Sequence, residues 1–155
     1  MYSAETWLKE LGIEFPAIRM KGQGVVPYKL VDDLLMLGGV APVDSGGQLA
    51  FTGRVGAEFT VEEGYKAARL AGLNALQIIK DALGSLDRVE YVVKVMAMVS
   101  AVPGFEDIYC VADGFSDVLT EALGERGVHA RNAVGASTLN NNAPVICDVF
   151  VKVRQ

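Results

Sequence analysis

Histidine is nearly absent from this chain, and so is cysteine: one and two among 155 residues. Scattered acids and a lone His129 give no ligand cluster, so no structural zinc and no other metal site is expected. Nor does any motif call for a cofactor. Cys110 and Cys147 form neither a disulfide framework nor a metal spacing. They are expected to be reduced and partly buried, as in a cytoplasmic protein. A basic run is missing too, and the net charge is -5. Nucleic acid is therefore not expected as the main partner, since such binding usually needs a cationic footprint. No apolar run is long enough to span a membrane. Met1 to Glu10 is polar and acidic, without a signal-peptide core.

What is present suits one globular domain. Hydrophobic residues make up 51% and charged residues 21%, enough for a real core over residues 1–155. Residues 1–24 read as a short helix, Ser3 to Leu11, followed by an irregular arm. Val25 to Val31 and Leu34 to Val40 read as a hairpin turning at Asp32-Asp33. Gly38-Gly39 interrupts its second strand, which predicts a bulge or a close approach. Leu49 to Phe51 is a candidate short strand. Thr60-Val-Glu-Glu63 is a capping-box pattern. It opens a helix whose apolar stripe runs Val61, Tyr65, Ala68, Gly72, Ala75, Ile79 and Leu83.

Val89 to Ala101 reads as a long strand. Strict alternation puts Val89, Tyr91, Val93, Val95, Ala97 and Val99 on one face. It leaves Glu90, Val92, Lys94, Met96 and Met98 on the other. A second helix follows, with the stripe Ile108, Val111, Ala112, Phe115, Val118, Leu119, Ala122 and Leu123. Two more strands begin at His129 and Val145. The order predicts an α+β domain with two helices on one face of a mixed sheet. In the last strand Val145, Cys147, Val149, Val151 and Val153 should meet the helices. Ile146, Asp148, Phe150 and Lys152 would then share the opposite face with Val92, Met96 and Met98. A monomer would not leave that mixed apolar surface in water, so an oligomer is expected.

The strand from His129 to Thr138 is unusual. After Arg131 its side chains are almost all small, which leaves room for another backbone or a ligand. Alternation puts His129, Arg131, Ala133, Gly135 and Ser137 on one face. A guanidinium fork above small residues suits a carboxylate. The competing reading pairs Arg131 with an acid at a subunit contact, Asp113 or Glu125 of a neighbouring copy. His129 is either a titrating group of such a site or a hydrogen-bonding residue at an interface. Ser137 has no base partner in sequence, so packing is expected of it. Cys147 should be inert by burial. Cys110, beside Tyr109, either approaches the site or packs.

Eight segments together resemble the Rid family, also called YjgF and once labelled endoribonuclease L-PSP. They are Leu34-Leu-Met-Leu-Gly-Gly39, Gly53-Arg-Val-Gly56, Thr60-Val-Glu-Glu-Gly64, Ala67-Ala-Arg69, Leu73-Asn-Ala-Leu76, Leu86-Asp-Arg-Val89, Pro103-Gly-Phe105 and His129-Ala-Arg-Asn-Ala-Val-Gly135. Their order and spacing cover most of the chain from the hairpin onward. The resemblance implies a chorismate-mutase-like fold and a homotrimer with three clefts between subunits. It also implies hydrolysis of enamines and imines, such as 2-aminoacrylate, to keto acid and ammonia. Arg131 matches the family arginine that holds the substrate carboxylate, with Gly38, Gly39 and Ala133 beside it in the cleft.

Other family positions are changed. Gly38 stands where active members carry serine, Val25 where they carry an aromatic, Asp113 where they carry asparagine, and Ile146 where they carry glutamate. Isoleucine cannot activate water. Asp113 could orient it instead, or be a plain helix-surface acid. Three functions remain open: a deaminase with a rearranged water site, a non-catalytic trimer binding a small carboxylate through Arg131, and, least supported by the acidic composition, an endoribonuclease.

Overall fold

The computed structural model describes residues 3–13 and 24–155. Most of the arm expected at Phe15 to Gly24 lies outside the described residues. A five-stranded mixed sheet has the order β1-β2-β5-β3-β4. The elements are α1 (Ala4–Glu10), β1 (Tyr28–Val31), β2 (Leu34–Val40), α2 (Val61–Leu83), β3 (Val89–Ser100), α3 (Ile108–Leu123), β4 (Ala130–Ala136) and β5 (Val145–Val153). Only β3 and β4 run parallel, joined by the α3 crossover.

Local chemistry places most boundaries. Ser3 caps α1 by accepting from the Thr6 amide at 3.1 Å. Thr60 Oγ1 accepts from the Glu63 amide, and the Glu63 carboxylate accepts in turn from the Thr60 amide, as the capping box requires. Gly84 ends α2 at φ 81°, where a Cβ would be strained. The hairpin turns at Asp32, whose φ of 54° an aspartate tolerates. β1 starts at Tyr28 rather than Val25. Leu49 forms only an isolated bridge with Val43 instead of a strand. Pairing of β2 with β5 slips between Leu37 and Val40, so the glycine pair does mark a bulge.

The core lies between the sheet and the helices. Val145, Cys147, Val149 and Val151 are fully buried on that side, as are Phe115, Leu119 and Ile79 from the helices. α2 and α3 cross closely because small residues line the seam. A Cβ on Gly114 would lie 2.2 Å from the Tyr65 carbonyl oxygen. At the far side of α2, buried Asn74 donates to the carbonyls of Ala41 and Val43, both at 3.0 Å. That clamp ties the chain after β2 to the helix.

Strict alternation fails in β3. Its register with β5 shifts between Val89 and Tyr91 and again between Val92 and Lys94. Each bulge inserts a residue and reverses parity. Val92 therefore joins the core at 2% exposure, while Tyr91 and Val93 are 45% and 38% exposed. Alternation is restored beyond Lys94, and Met96 and Met98 do share the open face with Phe150, Asp148 and Ile146.

Candidate functional site

The sequence-selected residues fall into two groups on opposite faces of the sheet. Arg131 pairs in register with Val95, and Ala133 with Ala97. Both partners are core residues, so Arg131 and Ala133 face α3. Gly39, Ile146 and Asp148 gather on the open face, where a Cβ on Gly39 would lie 2.7 Å from Ile146 Cγ2 and 3.8 Å from Asp148 Oδ1. Within one chain, then, Ile146 does not share a cleft with Arg131.

Around Arg131 the bonds form a continuous line. Nη1 donates to Asp113 Oδ1 at 2.9 Å and to Ser116 Oγ at 3.1 Å. The ion-pair alternative is thus realised inside one chain, with Asp113 and not with Glu125. Asp113 and Ser116 stand one turn apart on α3 and so present a common face to β4. Ser116 Oγ lies 2.9 Å from His129 Nε2. On the far side of the ring, His129 Nδ1 lies 2.6 Å from the Gly127 carbonyl oxygen. A carbonyl only accepts, so Nδ1 carries the proton and Nε2 receives the Ser116 hydroxyl. Burial holds the imidazolium below the usual histidine range, and the Arg131 charge adds to that. His129 is neutral at pH 7 in this setting.

The small-residue floor has another owner for part of its length. A Cβ on Gly135 would sit 3.3 Å from Ile108 Cδ1, and Ala133 packs against the core. The room left at Gly135 is taken by the Ile108 side chain of α3, rather than by the other backbone that the small residues suggested. Ser137 lines a shallow cavity of about 350 Å³ with Phe105 and Ile108, and no base reaches it among the described residues. Cys110 is half-buried on α3 beside exposed Tyr109. Cys147 is fully buried, and burial pushes its thiol well up, so it is inert.

Gly38 and Gly39 line a separate cavity of about 80 Å³ with Pro27, Val40, Ala41, Val43 and Ile78. The Gly38 amide donates to the Pro27 carbonyl at 2.9 Å. Two residues with site chemistry escaped the sequence reading. Ser116 could have been found by its spacing of three from Asp113 toward the Arg131 strand. Asp148 could have been found as the sole carboxylate of β5. Burial on the open face raises its carboxyl above the usual range, and no cation pairs with it among the described residues. Among those residues no group of acids, cysteines and histidine could hold a metal ion, and no helix is long and apolar enough to cross a membrane.

A helix-covered mixed sheet with an arginine at the head of its parallel edge strand defines a class. The model of the family described as "YjgF/chorismate mutase-like, putative endoribonuclease" matches residues 5–153. The chain belongs to this family, the Rid group, and has its chorismate-mutase-like fold. Protein TCP17 of Trypanosoma cruzi is 39% identical over 148 residues, which are 94% of this chain and 91% of that protein. Among solved structures, Atu1372 of Agrobacterium tumefaciens, of unknown function, superposes with a TM-score of 0.89. It is 37% identical and the match covers 98% of this chain and 92% of the other. A Shewanella oneidensis protein with the same endoribonuclease designation gives a TM-score of 0.91 at 31% identity, over 97% and 99% of the two chains.

Proposed function

We propose that this chain hydrolyses small carboxylate-bearing imines and enamines of the 2-aminoacrylate type, in a cytoplasmic setting. Water adds to the C=N carbon, the C–N bond breaks, and keto acid and ammonia leave. The observation that carries the reading is the Arg131 guanidinium. It is held by Asp113 and Ser116 through one nitrogen, while Nε and Nη2 donate to nothing among the described residues. That leaves a planar pair of donors matched to one carboxylate.

Water handling falls to Asp148. Its raised carboxyl keeps a proton closer to neutrality than an exposed aspartate does, which suits proton transfer. Asp113 is the weaker candidate, because its Oδ1 is already held by Arg131. Arg131 and Asp148 lie on opposite faces, so a site containing both needs two copies of the chain. A homotrimer in which the β4 edge of one copy lies against the open sheet face of the next would supply three such clefts.

The test is turnover. The protein is added to an enzyme that releases 2-aminoacrylate, and ammonia and pyruvate are followed. Acceleration over the spontaneous rate is expected, with Arg131→Ala losing most of it. Absence of acceleration at any protein concentration would leave the second reading, a non-catalytic trimer binding a small carboxylate. Ile146 at the family glutamate position favours that alternative. An endoribonuclease is the least supported, since a net charge of -5 repels a polyanion.

A further inference from the structure

Both hydrogens on Arg131 Nη1 are assigned by their partners, and this says which edge of the guanidinium can bind. Nη1 has two hydrogens and two acceptors, Asp113 Oδ1 and Ser116 Oγ. The end-on approach, which uses one hydrogen from each Nη, is therefore closed. The side-on approach through Nε and Nη2 stays open. Ser116 can accept from Arg131 because its own proton goes to His129 Nε2. His129 can take that proton because the Gly127 carbonyl holds the ring's other nitrogen as N–H. Gly127 is itself fixed: a Cβ there would lie 2.2 Å from the Leu119 carbonyl oxygen. The result is one direction of donation, from Arg131 to Ser116 to His129 to the Gly127 carbonyl.

We propose that Ser116 and His129 are positioning residues that fasten Nη1 of Arg131 and dedicate its Nε–Nη2 edge to a single small monocarboxylate. The proposal rests on the reading of Arg131 as a carboxylate anchor. It assigns the Ser116–His129 pair a task other than nucleophilic attack. Without the Ser116 oxygen, the guanidinium is free to turn and give Asp113 a second donor, Nη2. Asp113 then competes with the ligand for the fork. Losing the hydroxyl should cost about fivefold in affinity, the scale of one hydrogen bond near 1 kcal/mol. The conservative change Ser116→Thr keeps the hydroxyl.

His129 is the sole histidine, so its ring gives one pair of nitrogen-15 NMR signals. At pH 7 the wild type should show a protonated Nδ1 and a bare Nε2. Pyruvate, used as the probe, is titrated by calorimetry into wild type, Ser116→Ala, Ser116→Thr and Arg131→Ala. Expected is a loss of about fivefold in Ser116→Ala, recovery in Ser116→Thr, and a larger loss in Arg131→Ala. Ser116→Ala should also shift the Nε2 signal. A proton on Nε2 in the wild type overturns the proposal. So does Ser116→Ala binding pyruvate as the wild type does while Arg131→Ala does not; the anchor reading then survives alone. Equal binding by wild type and Arg131→Ala overturns the anchor reading, and the proposal with it.

Discussion

At the scale of single residues, identity was legible and partnership only in part. Arg131 stands out in sequence because nothing long surrounds it. Asp113 was named as an acid partner for Arg131, but in a neighbouring copy and level with Glu125; the packing of α3 on β4 supplies it from 18 positions away in the same chain. Asp148 was hidden for a different reason: alternation placed it on the apolar open face, but nothing in the sequence says that no cation stands beside it there. Its burial has a sign that can be checked. A carboxyl raised in the folded state binds more protons than in the unfolded chain, at pH values from about 3.9 upward. Its neutral form is therefore favoured by folding, and stability falls as pH rises through that window. Asp148→Asn removes the charge while keeping the shape. The variant should melt at a higher temperature than the wild type at pH 7, and level with it near pH 3. Under the proposed function the same variant should lose turnover, so greater stability and lower activity would appear together. A lower melting temperature at pH 7 would mean that Asp148 has a cation partner in the assembled protein.

At the scale of elements, periodicity carried far where nothing interrupts it. The stripe of α3 matches the buried set Val111, Ala112, Phe115, Val118, Leu119, Ala122 and Leu123. β5 alternates without fault because no bulge enters it. β3 defeats the same reasoning, since the two-residue period cannot announce an inserted residue and each bulge flips the side chains that follow. The α2–α3 seam was also silent, because a glycine inside a helix looks like a weak helix former until the second helix is in place. Gly114 is the sharpest case. Its missing Cβ leaves room for the Tyr65 carbonyl, and a backbone atom cannot swing aside as a side chain can. Gly114→Ala should cost about 1–3 kcal/mol, the range for overpacking, although alanine is the better helix former by about 1 kcal/mol. Denaturant unfolding at fixed slope reads the difference. A stabilised variant would show that the two helices can separate freely. Because Asp113 and Ser116 flank this seam, the same substitution should loosen the hold on Arg131.

At the scale of the molecule, the sheet has one face too many for its helices. Met36, Met96, Met98, Ile146 and Phe150 are only half-buried in a single chain, and Tyr91 and Val134 are 45% and 42% exposed. That is a larger apolar surface than a soluble monomer usually leaves in water, and it is the face that holds Gly39 and Asp148. Assembly and site completion are therefore the same event in the proposed function. Sedimentation equilibrium should give three times the chain mass at micromolar concentration. Met96→Glu or Phe150→Glu would bury an unpaired charge in the contact and should yield smaller species or aggregate. Arg131→Ala removes a side chain on the helix-facing side of β4 and should leave the trimer whole. The two kinds of variant then separate the roles by measurement. Arg131→Ala should lose pyruvate binding at full trimer mass, whereas Met96→Glu should lose binding and mass together. A dissociated Met96→Glu chain that still binds pyruvate with wild-type affinity would place the whole site inside one protomer. In that case Asp148, on the far face, could take no part in it.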